Sequence, residues 1–388
     1  MRLRPVVMVA TVVILGACTG ESGVRGPASR PARSVAHVKI AFLQNLSAED
    51  AALRTAPAFQ GAKLAFDTAG LSGDLDVEVE LVALNTQGDP ETATLVARKV
   101  AADPAFVGAI GAPFLTAQRA VGDVLDAAEV PTITLSTLGP DLAKAGWTTW
   151  RRAVADHPRL GAALAAFVDS LPGTTRRGAC LLGDGSEVAS GLLRSVGGEL
   201  RTRIVLRSRV VADDGDPAGV ADAVRNAGCG VVVWGGLSGQ GALVRRRLVD
   251  GGLRRVAFVG ADGMKDGTYL STSGAAGGGT VAACPCADLS TATELAAQRF
   301  IQDYQADFGL PPGPYAAEAW DVARMFVQAF REGAVTRAEV LRSLSSVDRF
   351  DGLANTYVFE PTGELAPGAA RVHVYRAQAG RWVRLQEG

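Results

Sequence analysis

Strand-like and helix-like stretches alternate along the chain from residue 38 onward, and the alternation runs its course twice. Residues 38–43 form an apolar run of strand length, and 52–67 carry apolar side chains at helical spacing, among them Phe59, Ala62 and Phe66. Val77, Val79 and Leu81 alternate as a strand does, 92–101 return to helix, and 106–110 read as a third strand ending on Gly111. Ala117, Ala120, Val121, Val124, Leu125 and Ala128 follow the i, i+3, i+4, i+7 template, and 132–135 are strand again. Repeated βα units of this length imply a parallel sheet with helices on both faces. The series then restarts: 179–182, 204–210, 231–234 and 256–259 read as strands, with helix candidates at 191–200, 217–226 and 241–249. The tail departs from the pattern, with helices at 291–308 and 315–330 before three short strands around Tyr357, 372–375 and 382–385. The expectation is an α/β chain of two doubly wound parallel-sheet lobes joined by a multi-strand hinge, the tail completing both lobes.

The ends refine this picture. Arg2 and Arg4 precede an apolar run, 6–15, that is too short to span a bilayer and reads as an export signal. The run closes on Leu15-Gly16-Ala17-Cys18, which resembles a bacterial lipobox; that resemblance implies processing before Cys18 and a diacylglycerol on its thiol, the alternative being an ordinary signal with an incidental cysteine. Paired acyl chains hold a protein firmly at a membrane where a single one does not. Residues 19–36 are rich in Gly, Ser, Pro and Arg and read as a flexible tether. The expected organisation is 1–17 signal peptide, 18–36 tether, 37–155 with 285–345 as the first lobe, and 156–284 with 346–388 as the second. The 388 residues exceed what one core usually organises, which fits two lobes.

The formal charge is −1, and loss of Arg2 and Arg4 takes it to −3. That balance excludes a nucleic-acid partner and a basic membrane-binding face, leaving the lipid anchor as the expected membrane contact. Beyond Cys18 four cysteines remain, Cys180, Cys229, Cys284 and Cys286, and an exported chain tends to pair them in one of three connectivities. Zinc is the rival for Cys284-Pro285-Cys286, but one intervening residue is a poor spacing, and His37, His157 and His373 are read as lying nowhere near. No metal or cofactor is expected.

Several short motifs then converge. Phe59-Gln60-Gly61-Ala62-Lys63-Leu64-Ala65 lies on the first helix, Gly88-Asp89-Pro90 precedes the second, and Ala109-Ile110-Gly111 ends a strand. Further along come Phe258-Val259-Gly260-Ala261-Asp262-Gly263, Tyr315-Ala316-Ala317-Glu318-Ala319-Trp320-Asp321 and Tyr357-Val358-Phe359-Glu360-Pro361-Thr362-Gly363-Glu364. In order and spacing the chain resembles the type I periplasmic binding proteins, in particular the leucine/isoleucine/valine-binding branch that feeds ABC importers. The resemblance covers nearly everything after the tether. It implies a monomer that closes its lobes on an amino acid, with Asp262 facing the α-amino group, and that delivers it to a permease.

The residues point to the same site by themselves, because open parallel sheets bind ligands beyond the carboxyl ends of their strands. Residues 111–116 occupy such an end, with Phe114 and Leu115 beside Thr116 as a candidate helix cap and free N–H groups for a carboxylate. Ser136, Thr137 and Leu138 repeat the arrangement after the next strand. Both loops also read as merely capped helix starts, and Asp262 as a turn aspartate before Gly263. Leu237 stands where relatives often carry an aromatic over the ligand, and Leu115-Thr116 replaces the family's run of hydroxyls. Trp150 is the tryptophan placed to stack on a ligand. Arg151 and Arg152 sit at the expected first crossing between lobes, where an arginine either clamps a carboxylate or holds the hinge by an ion pair. Cys180 and Cys229 begin the first and third strands of the second lobe, neighbours in a sheet of order 2-1-3-4-5, which makes a bridge between them reasonable and leaves Cys284 with Cys286; buried free thiols are the alternative.

Two other functions compete with binding. Gly236-Leu237-Ser238-Gly239-Gln240 lies between strand and helix as a hydrolase nucleophile does, with Asp321 or Asp348 and His373 as partners. Gln240 stands where that motif needs glycine, and His373 falls within a strand, so catalysis is not expected. A ligand sensor of the same fold acting through a separate receptor is the remaining alternative.

Overall fold

The computed structural model describes residues 35–46, 51–73, 75–210, 217 and 219–385. The export signal, Cys18 and the tether up to residue 34 lie outside the described residues. The chain enters a sheet at once. Strand β1 (Ala36–Gln44) is followed by helix α1 (Ala51–Leu71), β2 (Val77–Asn85), α2 (Pro90–Ala102), β3 (Phe106–Ile110), α3 (Leu115–Ala127), β4 (Thr132–Thr134) and β5 (Trp150–Arg152). The five strands are parallel in the order β2-β1-β3-β4-β5. β3 is buried along its whole length, which is why it reads as an unbroken apolar run. α2 starts where the sequence dictates: Asp89 accepts a hydrogen bond from the Thr92 N–H at 2.7 Å and Pro90 fills the first helical position.

The second series comprises α4 (His157–Ser170), the one-turn α5 (Thr174–Arg177), β6 (Ala179–Gly183), α6 (Glu187–Glu199), β7 (Ile204–Arg209), α7 (Val220–Ala227), β8 (Val231–Trp234), α8 (Ser238–Asp250), β9 (Ala257–Gly260), α9 (Gly267–Ser273) and β10 (Val281–Cys284). Its strands run β7-β6-β8-β9-β10, the same 2-1-3-4-5 order as the first sheet. The tail then supplies α10 (Leu295–Phe308), α11 (Ala316–Arg331), α12 (Arg337–Ser346), the small hairpin β11 (Phe350–Asp351) and β12 (Thr356–Tyr357), and finally β13 (His373–Gln378) and β14 (Arg381–Arg384). β13 and β14 extend the second sheet antiparallel beyond β10. α11 instead packs on α1 beside the first sheet. Two sheet-bearing lobes with a shared tail are therefore the architecture, a mixed α/β fold.

Two of the short motifs meet in this packing. Gly61 of α1 lies against the backbone of Ala316 in α11, so closely that a Cβ would strike the Ala316 carbonyl. α12 is fastened to the first lobe by Arg337, whose guanidinium donates to the carbonyls of Val100, Ala101, Asp103, Phe106 and Ala128 at 2.9–3.1 Å. A cation among these carbonyls helps satisfy the C-terminal ends of α2 and α3.

Disulfides join Cys180 to Cys229 and Cys284 to Cys286. The reading that no histidine lies near the latter pair needs correction: β10 pairs antiparallel with β13 and sets His373 directly opposite Cys284. The strand register, invisible in the linear spacing, brings them together. The cysteines bond each other, and among the described residues no cluster of His, Cys, Asp or Glu is arranged to hold a metal.

Candidate ligand cleft between the two sheets

The chain first passes from one sheet to the other just after β5, and that passage is built on a buried ion pair. Arg152 is fully buried; its Nε and Nη2 donate to the two carboxylate oxygens of Glu364 at 2.9 Å each. The same guanidinium donates to the carbonyls of Thr137 at 2.5 Å and Gly139 at 2.7 Å. The ion-pair reading of this arginine holds, with a partner 212 residues away. Arg151 donates instead to Ser345 Oγ at 2.7 Å and lies over the Phe359 ring. Gly363, at φ +82°, lets the 360–364 turn press onto the Trp150 carbonyl where no side chain fits.

Arg152 thereby fixes the loop after β4. The Leu138 carbonyl is taken as well, by the His157 N–H at 2.8 Å, so three successive carbonyls of the loop are committed. The Thr137 hydroxyl donates to the Ala112 carbonyl, and the Ala112 N–H donates to Gln118 Oε1 at 2.9 Å, tying this loop to the one after β3. His157 is buried, and burial holds its imidazole neutral by lowering its pKa to about 4.

These loops, with those after β8 and β9, enclose a cavity of about 240 Å³. It lies at the carboxyl ends of β1, β3 and β4 on one side and of β8 and β9 on the other, where doubly wound sheets bind ligands. Apolar groups dominate its wall: Phe42, Leu115, Leu135, Leu138, Val188, Leu192 and Leu237. The polar groups are fewer and include Ser136, Asp262, Lys265 and Tyr315. Asp262 Oδ2 accepts the Tyr315 hydroxyl at 2.7 Å, a bond between the second sheet's β9 loop and the start of α11. Burial pushes the Asp262 carboxyl above its usual range, against the stabilising bonds from Tyr315 and the Gly263 N–H. At the rim Arg119 of α3 reaches Glu187 of α6 at 2.8 Å, a second contact between the lobes.

Of the residues singled out by sequence, Phe114, Leu115, Ser136, Thr137, Leu138, Leu237 and Asp262 line this cavity. Thr116 and Trp150 do not. Thr116 is exposed and does not cap α3; the helix begins one residue earlier, and its N-cap is Phe114, with no side-chain bond. Trp150 is buried between Trp147 and the Arg152 guanidinium, so its ring has no face for a ligand. Lys265, Tyr315, His157 and Phe42 were not anticipated. Tyr315 lay in a quoted motif, but only the approach of α11 to the β9 loop gives it a role.

The residues weighed for a hydrolase triad have other surroundings. Asp321 accepts the N–H groups of Leu353 and Ala354 and the Tyr357 hydroxyl, while Ser238 Oγ and His373 Nδ1 are buried without a partner among the described residues.

A family model described as periplasmic binding protein matches residues 37–380. The chain belongs to the periplasmic binding protein family. Solved structures share the fold. The branched-chain amino acid transporter substrate-binding protein LivJ of Streptococcus pneumoniae, in complex with isoleucine, is 20% identical, with a TM-score of 0.80 over 90% of this chain and 100% of that one. The leucine-binding protein LivK of Thermotoga maritima is 18% identical, with a TM-score of 0.77 over 90% and 98%. A solute-binding protein of an ABC transporter from R. palustris, in complex with benzoate, is 16% identical, with a TM-score of 0.75 over 90% and 95%. No curated protein sequence matches the chain at a significant level. Among the described residues of this periplasmic binding protein, no helix is long and apolar enough to cross a membrane.

Proposed function

We propose that this periplasmic binding protein is a lipid-anchored, extracytoplasmic receptor for a small solute, an amino acid of the branched-chain type or a related amide, which it hands to an ABC importer permease. It binds and does not catalyse. The observation that carries the reading is Asp262, bridging to Tyr315 in a largely apolar cavity at the carboxyl ends of both sheets, where the other lining aspartate, Asp266, is engaged in capping α9. An ammonium group satisfies Asp262, the side chain fills the apolar remainder, and the carboxylate meets Ser136 and the first N–H groups of α3, which no side chain caps. Contacts from both lobes make the ligand favour the closed cleft over the open one. Sequence and structural similarity to LivJ and LivK supports the amino-acid class and the importer partner.

Calorimetric titration with leucine, isoleucine, valine, their amides and a sugar panel tests this reading. Binding confined to sugars defeats it. Asp262→Asn is expected to weaken a branched-chain amino acid about 10- to 100-fold, the worth of one charge-assisted hydrogen bond; unchanged affinity removes Asp262 from the site.

A further inference from the structure

Lys265 lies three residues beyond Asp262 and lines the same cavity. Only 7% of it is exposed. Its Nζ rests 4.1 Å from the centroid of the Tyr375 ring and, among the described residues, makes no hydrogen bond and no ion pair. The charges of Asp288 and Glu318 reach it, yet neither stands within ion-pair distance. An ammonium carries three donors and no acceptor, and a ring face satisfies none of them as an oxygen does. Burying such a group without an acceptor is costly, so its position in the wall of a ligand cavity calls for an anion.

Beyond the Ser136 hydroxyl, the first lobe has little to offer a carboxylate by side chains. The Thr137 hydroxyl is spent on the Ala112 carbonyl, the Ala112 N–H is spent on Gln118, and Thr116 faces solvent. We propose that Lys265 reads the ligand's carboxylate, taking one oxygen while the start of α3 takes the other. The carboxylate then spans the two lobes, and the site demands a carboxylate on an apolar body, with the amine as a second requirement met by Asp262. This rests on the binding role proposed above and adds the residue that selects acids over amides.

Calorimetry with L-leucine, L-leucinamide and 4-methylpentanoate separates the two charges. The wild-type protein is expected to bind leucine at least about tenfold more tightly than leucinamide, and Lys265→Met to bring the two within about threefold of each other. Lys265→Arg keeps the preference, and Asp262→Asn narrows the gap between leucine and 4-methylpentanoate instead. Thermal melts without ligand check the fold: Lys265→Met is expected to be at least as stable as wild type, because a buried unpaired charge is gone. A lysine that merely supports structure gives the opposite result, lower stability with the leucine-to-leucinamide ratio intact, and this overturns the proposal while leaving the amino-acid reading standing. Wild-type protein that binds only uncharged solutes overturns both. If benzoate is the acid that binds, Lys265→Met must abolish that binding, and its retention again defeats the role of Lys265.

Discussion

Replacing Glu364 with alanine strands the most buried cation among the described residues. Arg152 is 0% exposed and has four acceptors, two on Glu364 and one each on the Thr137 and Gly139 carbonyls. Glu364→Ala removes half of them and the whole counter-charge. Breaking a buried pair from one side costs about 3–5 kcal/mol, and two charge-assisted bonds at roughly 1.5–3 kcal/mol each give the same range. At about 2 °C per kcal/mol for a chain of this size, the melting temperature should fall by roughly 6–10 °C. Arg152→Met with Glu364→Leu leaves no charge behind and should lose less than Glu364→Ala alone, since the desolvation of both ions is recovered. Urea denaturation of the three proteins measures this directly. Ligand affinity should fall with stability in Glu364→Ala, because the carbonyls that Arg152 holds belong to the loop lining the cleft. A Glu364→Ala protein within about 1 kcal/mol of wild type, a surface-pair value, refutes the claim that this pair organises the crossing.

Two further outcomes follow from the same packing. Burial raises the Glu318 carboxyl from 4.5 to about 7, so between those pH values the folded chain holds a proton that the unfolded chain has released. Its stabilising contribution is complete below pH 4.5 and lost as pH rises through 7; relative to Glu318→Gln, wild type should lose on the order of 3 kcal/mol across that window, and urea melts showing a pH-independent difference count against it. The disulfides should differ in worth with the chain they enclose: removing Cys180–Cys229, which are 49 residues apart, costs about 4 kcal/mol, and removing Cys284–Cys286, 2 apart, about 1 kcal/mol. Denaturation of the two double alanine variants gives the ranking, and a reversed order defeats the loop-entropy account.

Local patterning carried most of the fold. The apolar runs at 106–110 and 231–234, the template of α3 and the Asp89-Pro90 helix start are legible because a βα unit is specified by its own residues and their burial on both faces of a sheet. The loops that line the cleft were legible too, since the strand ends lie where the helices begin. β5 was not: it is three residues long and two of them are arginines, a composition that becomes strand only because Glu364, the Thr137 and Gly139 carbonyls, Ser345 and Phe359 wait for those guanidiniums. Thr116 does not cap because it is the second residue of α3, and a threonine caps only from the residue that precedes the helix.

Sequence by itself therefore determined two series of parallel strands, the helices that cover them and Asp262 at the end of a second-lobe strand. Tertiary structure alone decided which distant groups meet: Tyr315 with Asp262, Lys265 over Tyr375, Arg152 with Glu364, His373 opposite Cys284. The division has a physical cause. Periodic burial is written in neighbouring residues, whereas a pairing between groups 53 or 212 positions apart depends on how whole lobes dock, and no short-range pattern encodes that.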